Sequence, residues 1–254
     1  MALFEARHIA ASYTRAGETA QLFSDVCFVL EEGRIYDLIG SSGSGKSTLL
    51  KICALMIKRE RGDLFLDNKE SATFEPTVWR RQVCLVPQIP TLITGTVRDN
   101  LLFPWKLKVH AGQTPPDETT LISLLERAEL VDIELDRDVS QLSGGQVARV
   151  ALLRAFATKP QVLLLDEVDA SLDDESASAI GRLTNSLVDK GIACLRIRHR
   201  KADGFASGTF TLKDSVLSYA SHVADLKKAN PPTLDPQTLD PPTPSSLSEE
   251  VARS

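Results

Sequence analysis

Gly40-Ser41-Ser42-Gly43-Ser44-Gly45-Lys46-Ser47-Thr48 is the stretch from which the fold is read. Gly40, Gly43, Gly45, Lys46 and Ser47 fill the pattern G-x-x-x-x-G-K-[ST]. The apolar run Ile35-Tyr36-Asp37-Leu38-Ile39 before it reads as a strand, and Thr48-Leu49-Leu50-Lys51-Ile52 after it opens a helical pattern. In a strand, glycine-rich turn and helix in that order, backbone N–H groups wrap a phosphate and the helix N-terminus adds its positive end. Ser41, Ser42, Ser44 and Thr48 complete the cradle. Lys46 is placed to reach β- and γ-phosphates, and the Ser47 hydroxyl to ligate Mg²⁺.

A second stretch supplies the acidic half of such a site. Val162-Leu163-Leu164-Leu165 is a continuous apolar run, as a central parallel strand covered on both faces requires. It ends in Asp166-Glu167, two charges that a buried strand does not carry without partners. Asp166 is the candidate for holding Mg²⁺, directly or through water. Glu167 is then the candidate general base for an attacking water.

Between these two lies Leu142-Ser143-Gly144-Gly145-Gln146, which generic nucleotide binders do not carry. With both phosphate motifs in this order, residues 1–220 resemble the ATP-binding-cassette (ABC) ATPases. The resemblance implies an α/β fold: a P-loop NTPase (RecA-like) core with a mixed sheet, a β-rich N-terminal part and a helical insert over about 89–144. It also implies roles. Tyr13 stacks on adenine, and Gln88 of Leu-Val-Pro-Gln touches Mg²⁺ and the attacking water. Ser143, Gly144, Gly145 and Gln146 bind the γ-phosphate of ATP held by a partner subunit. Asp173 belongs to the D-loop, and His199 contacts the γ-phosphate as the switch histidine. Two copies would sandwich two ATP head to tail. Both halves of the site look intact here, so a homodimer suffices.

The stretch from Gln88 to Trp105, ending Asn100-Leu101-Leu102-Phe103-Pro104-Trp105, resembles a smaller group. Its members are stand-alone ATPases paired with a separate membrane protein, of the bacterial iron-efflux and plant aluminium-tolerance types. That implies a cytoplasmic ATPase held at a membrane by a permease, with metal-ion export as its work. A simpler reading is that Phe103 and Trp105 around Pro104 cap a helix and pack on the core.

Composition agrees. The 254 residues carry 29 Lys+Arg against 34 Asp+Glu, a balance that argues against a nucleic-acid surface. Cys27, Cys53, Cys84 and Cys194 sit amid apolar neighbours without zinc or redox spacing, so all four read as reduced core thiols. No window approaches the ~20 apolar residues of a membrane span, and the first residues lack a secretory h-region. No covalent cofactor is expected.

Along the chain, residues 3–35 read as short strands broken by Gly17 and Gly33. Leu121 to Ala128 has helical spacing, with a loop over 110–116 before it. A helix over 175–190 and a strand over 192–197 follow. Residues 221–254 repeat Thr-Leu-Asp-Pro and read as a disordered Pro-rich tail.

One departure from the family stands out. Arg198 and Arg200 flank His199, where a small residue and an acid are usual. Arg196 and Arg198 alternate along a strand that should be apolar, suggesting that one face is exposed and that an arginine adds positive charge near the γ-phosphate. The rival reading is a soluble ABC ATPase acting on nucleic acid or ribosomes, or a slow regulatory scaffold. The insert is short for a coiled-coil arm, and no tandem cassette or basic cluster accompanies it.

Overall fold

The computed structural model describes residues 2–15, 18–188 and 191–222. It opens with a long antiparallel hairpin, β1 (Ala2–Arg15) and β2 (Glu18–Glu31). The expected short strands are therefore two strands of 14 residues each. Register shifts, the first between Ala2 and Phe4 and others between Ala6 and Ser12, take up the irregularity without ending the pairing. Gly33 (φ 70) makes the turn into β3, and Gly17 lies outside the described residues.

β3 (Ile35–Ile39) runs into the glycine loop and α1 (Lys46–Cys53). β4 (Arg61–Leu66) and β5 (Lys69–Glu70) complete a four-stranded sheet in the order β2-β1-β4-β5. α2 (Pro76–Gln82) starts on proline at its first turn, where no N–H is needed, and leads into β6 (Val83–Val86). The insert then holds α3 (Val97–Leu102) and α4 (Glu118–Arg127), and α5 (Gly144–Ala157) begins where it ends. A capping box between Thr96 and Asp99 fixes the start of α3, and Asp117 caps α4. Phe103–Lys106 forms a 3₁₀ turn rather than a longer helix, and the Trp105 ring packs on His110 at 5.6 Å.

The core resumes with β7 (Val162–Asp166), α6 (Asp174–Val188), β8 (Ala193–Ile197), β9 (Gly208–Lys213) and β10 (Val216–Ser221). The second sheet has the order β10-β9-β3-β8-β7-β6; β9, β3, β8, β7 and β6 run parallel, and β10 turns back antiparallel on β9. The Pro-rich tail falls almost wholly on residues 223–254, outside the described residues.

The period of two along β7 explains why its sequence is apolar throughout. Val162 and Leu164 enter a core built with Phe4, Phe28, Leu49, Trp79 and Phe210, between the two sheets around α1. Leu163 and Leu165 face the other way, into a core with Leu101, Leu125, Leu152 and Leu183 from α3 to α6. Cutting back either set leaves a void that neighbours cannot close, at about 2–5 kcal/mol for Leu to Ala.

The same alternation overturns the expectation for β8. Arg196 and Arg198 do not mark an exposed face: they are 4% and 9% exposed, on the same face as buried Cys194. Arg196 Nε donates to Asp37 Oδ1 at 2.6 Å, and its two terminal nitrogens donate to Asp203 at 2.9 and 2.7 Å. Arg198 Nε donates to Asp169 Oδ2 at 3.3 Å, and its Nη1 stands 2.7 Å from Asp203 Oδ2. Burial alone would lower the Arg196 pKa, but the Asp203 bonds and Asp37 outweigh it and drive the pKa upward. Charges survive here because carboxylates were buried with them. Arg198 therefore faces acids, and the idea that it lends positive charge to a γ-phosphate does not hold.

Candidate active site

The turn from β3 into α1 is a backbone that side chains would obstruct. Gly45 (φ 99) precedes α1 in the left-handed region, and a Cβ on it would lie 3.1 Å from the Phe23 ring. A Cβ on Gly40 would lie 2.3 Å from the Leu212 carbonyl oxygen of β9. Lys46 is buried, and its Nζ donates to the carbonyls of Gly40 and Ser41 at 2.9 and 3.0 Å. An ammonium has three protons, so one is left for an anion. Among the described residues Ser44 Oγ is buried with no hydrogen-bond partner, an unmet donor inside the turn. Both features fit a loop that closes on phosphate.

The parallel sheet brings the acidic strand end beside this loop. Ser47 Oγ donates to Asp166 Oδ1 at 2.8 Å across 119 residues of sequence. Burial pushes the Asp166 carboxyl above its ordinary pKa, with the Ser47 bond opposing and neighbouring Glu167 adding to the rise. A hydroxyl and a carboxylate this close, walled by Lys46, are hard oxygen donors of the kind Mg²⁺ selects.

Glu167 adopts φ 50, uncommon for a residue with a Cβ, and this turns its side chain off the strand. Its Oε2 accepts from Gln88 Nε2 at 3.0 Å, and its Oε1 lies 2.8 Å from His199 Nε2. Residues 88, 167 and 199, each just past the C-terminal end of a parallel strand, thus meet at one carboxylate.

The remaining candidates stand apart from this cluster. Tyr13 is half-exposed on β1, paired with Ala20 and two residues beyond Ala11, whose partner Phe23 touches the loop at Gly45. Ser143 caps α5: its Oγ accepts from the Gln146 N–H at 3.3 Å, while Gln146 Oε1 accepts from the Ser143 N–H at 2.9 Å. Gly144 is exposed, and Gly145 packs so closely on α6 that a Cβ would lie 2.4 Å from Ser176 Oγ. Asp173 precedes α6 and accepts from the Ser176 N–H and hydroxyl at 2.8 and 3.0 Å.

Two features escaped the sequence reading. Asp37, Asp169 and Asp203 form the acidic side of the arginine network, and only Asp37, a lone charge in an apolar strand, could have hinted at it. Cys27 and Cys84 are partly buried rather than core thiols like Cys53 and Cys194. Cys27 lies beside His8 and Asp25.

A glycine-rich strand-to-helix loop on a mixed sheet, with an acidic pair at the end of a parallel strand one place removed, defines a P-loop nucleoside triphosphatase of the cassette type. The chain belongs to the ABC transporter family, whose profile matches residues 23–170, more than half of it. Over 211 residues it is 33% identical to the probable iron export ATP-binding protein FetA of Escherichia coli K12, covering 83% of this chain and 89% of that protein. Over 204 residues it is 34% identical to methionine import ATP-binding protein MetN 1 of Listeria innocua, covering 78% of this chain and 59% of that protein. In structure it is similar to the dimeric bacterial ABC transporter cassette MJ0796, with a TM-score of 0.75 and 25% identity over 88% of this chain and 100% of that one. The same cassette as a post-hydrolysis dimer bound to ADP and Pi gives a TM-score of 0.74, 25% identity and the same coverage. Membership carries the ATP-binding and ATP-hydrolysing chemistry of these cassettes, and among the described residues no helix is long and apolar enough to cross a membrane.

Proposed function

We propose that this chain is the ATPase subunit of a two-component membrane transporter, driving a separate permease by ATP-dependent dimerisation, with metal-ion export as its task. The observation that carries the reading is Glu167 held between Gln88 and His199, one chain position after an Asp166 bonded to Ser47. The similarity to a probable iron export ATP-binding protein over 89% of its length supports the cargo class.

Mg²⁺, when bound, would neutralise charge between the β- and γ-phosphates; Ser47, Asp166 and Gln88 would hold it. Gly40 to Thr48 orient the triphosphate through backbone N–H groups, and Lys46 turns its free proton onto the β/γ-oxygens. Tyr13 stacks on adenine. Glu167 accepts the proton of the attacking water, while His199 holds that carboxylate and the γ-phosphate in line. Ser143, Gly144, Gly145 and Gln146 at the start of α5, with Asp173, close over the γ-phosphate of ATP held by a second copy; free N–H groups at a helix start favour an anion.

The permease docks in a groove of about 500 Å³ whose walls include Arg80, Ile93, Phe103, Pro104 and Arg154. One wall continues into the Gln88 loop through Pro87, so occupancy of the groove reaches the catalytic carboxylate. The chain works on the cytoplasmic face as a homodimer, without nucleic acid. Residues 1–220 act as one cassette, with 221–254 as an appended tail.

The test is affinity purification of Glu167→Gln, trapped with ATP, from detergent-solubilised membranes. A stoichiometric multi-span protein is expected. Recovery of ribosomes, nucleic acid or soluble proteins alone would replace this reading with a non-transport ABC ATPase.

A further inference from the structure

His8, Asp25 and Cys27 converge on the open face of the β1–β2 hairpin, outside the nucleotide site. His8 Nδ1 lies 2.7 Å from Asp25 Oδ1 and 3.7 Å from Cys27 Sγ; Sγ is 4.0 Å from Asp25 Oδ1. A tetrahedral zinc ion with one sulfur, one nitrogen and one oxygen ligand spaces them roughly 3.5 Å apart across S···N and S···O, and ~3.3 Å across N···O. Small side-chain rotations convert one triangle into the other.

The backbone has been shaped to make this meeting. Asp25 and Cys27, two apart on β2, share one face of the sheet. His8 sits in the register shift between Ala6 and Ile9 with φ 53, a left-handed conformation that a residue with a Cβ seldom takes. The neighbouring strand accommodates that bulge only through a glycine. Gly62 of β4 (φ 92) lies where a Cβ would come within 2.4 Å of the carbonyl oxygens of both Arg7 and His8. The bulge also directs the His8 N–H onto Cys27 Sγ at 3.1 Å, a bond that opposes but does not offset the rise in the thiol pKa that burial causes. Strain at a bulge next to three convergent donors points from geometry to a site.

We infer that His8, Asp25 and Cys27 form a three-ligand site for a thiophilic divalent cation of the zinc class, with its fourth position open to solvent. Imidazole, thiolate and a single carboxylate exclude the oxygen-loving Mg²⁺ and Ca²⁺, so this site is chemically separate from the one at Ser47 and Asp166. A bound ion pins β1 to β2 on the sheet that carries Tyr13.

The experiment uses the full-length chain stripped with chelator and titrated with Co²⁺, reading the thiolate-to-cobalt charge-transfer absorption and its loss on Zn²⁺ competition. One equivalent is expected. The band should vanish in Cys27→Ser and persist in Cys84→Ser, and Asp25→Asn, which keeps the thiol, should weaken binding at least about tenfold. Circular dichroism in chelator confirms that each variant is folded, and Asp25→Asn decides the matter if Cys27→Ser is not. No band in the wild type, a band that survives Cys27→Ser, or undiminished affinity in Asp25→Asn overturns the site.

Discussion

Glu167 and His199 stand 2.8 Å apart, Oε1 to Nε2, although one follows β7 and the other follows β8. Adjacent parallel strands deliver them to the same edge of the sheet, and the unusual φ of Glu167 turns its carboxylate toward the histidine. Substituting Glu167→Gln keeps the shape and removes the base. Steady-state phosphate release should fall by about 10²–10⁴-fold while ATP affinity holds, since Lys46 and the loop are untouched. Equal losses of binding and turnover would show that Glu167 holds nucleotide rather than activating water.

Arg200, beside His199, reaches in the opposite direction. It donates to the carbonyls of Asp169, at 3.2 Å, and Leu172, and pairs with Asp174 at 2.5 Å. It thereby ties the segment after His199 to residues 170–173, the stretch resembling the D-loop. For Arg200→Ala we expect kcat to drop about tenfold, equivalent to ~1.4 kcal/mol of barrier. KM for ATP should change little, because Arg200 is not placed on the phosphate loop. A KM effect with unchanged kcat would reverse that assignment.

The network beneath β8 predicts an acid-sensitive contribution to stability. Burial alone would raise the Asp203 pKa, but the bonds from Arg196 and the nearby Arg198 win and hold it below the ordinary carboxylate range. A depressed native pKa gives stability that is complete above the unfolded value of about 3.9 and is lost as pH falls through the lower native value. Asp203→Asn should cost roughly 3 kcal/mol near neutrality, at the low end for a broken buried pair because Asp37 still holds Arg196. Urea unfolding of both proteins should show the gap narrowing below pH ~4. A gap that stays constant down to pH 3 would rule out the charge as its source.

Gly145 offers a test of the second half of the site. An added methyl would strike Ser176, whose hydroxyl is bound to Asp173. Gly145→Ala should therefore disturb α5 and the 170–173 segment together. We expect ATP-driven dimerisation of Glu167→Gln to weaken about tenfold, ~1.4 kcal/mol, with nucleotide affinity of the monomer unchanged. Size-exclusion chromatography with and without ATP reads the difference, and an unaltered dimer would place the signature outside the interface.

The phosphate loop and the β7 strand were legible because their chemistry is local. Glycines at fixed spacing and four apolar residues ending in two acids each admit few structures. Tyr13, Gln88 and His199 were picked out only through the order of motifs, since each alone is an ordinary residue; the structure brings Gln88 and His199 to Glu167 and leaves Tyr13 apart. The β8 arginines misled because alternation reports which residues share a face, not whether that face is wet. Asp203 and Asp169, 7 and 29 positions from the arginines they neutralise, carry the missing information. The His8 cluster was hidden for a similar reason: a backbone bulge brings positions 8 and 27 together, and spacing rules see only ligands close in sequence.

Ser143 and Gln146 already satisfy one another at the head of α5, donor for acceptor in both directions. That pairing holds the head of α5 in shape before any second subunit arrives. If Ser143 is recruited to another subunit's nucleotide as proposed, the cap need not open: the hydroxyl gives its proton to phosphate while still accepting from Gln146, and the separated form loses little by letting go. Machines that must cycle benefit from a resting position this comfortable: the fastener opens as readily as it shuts, and the direction of each stroke is left to the nucleotide.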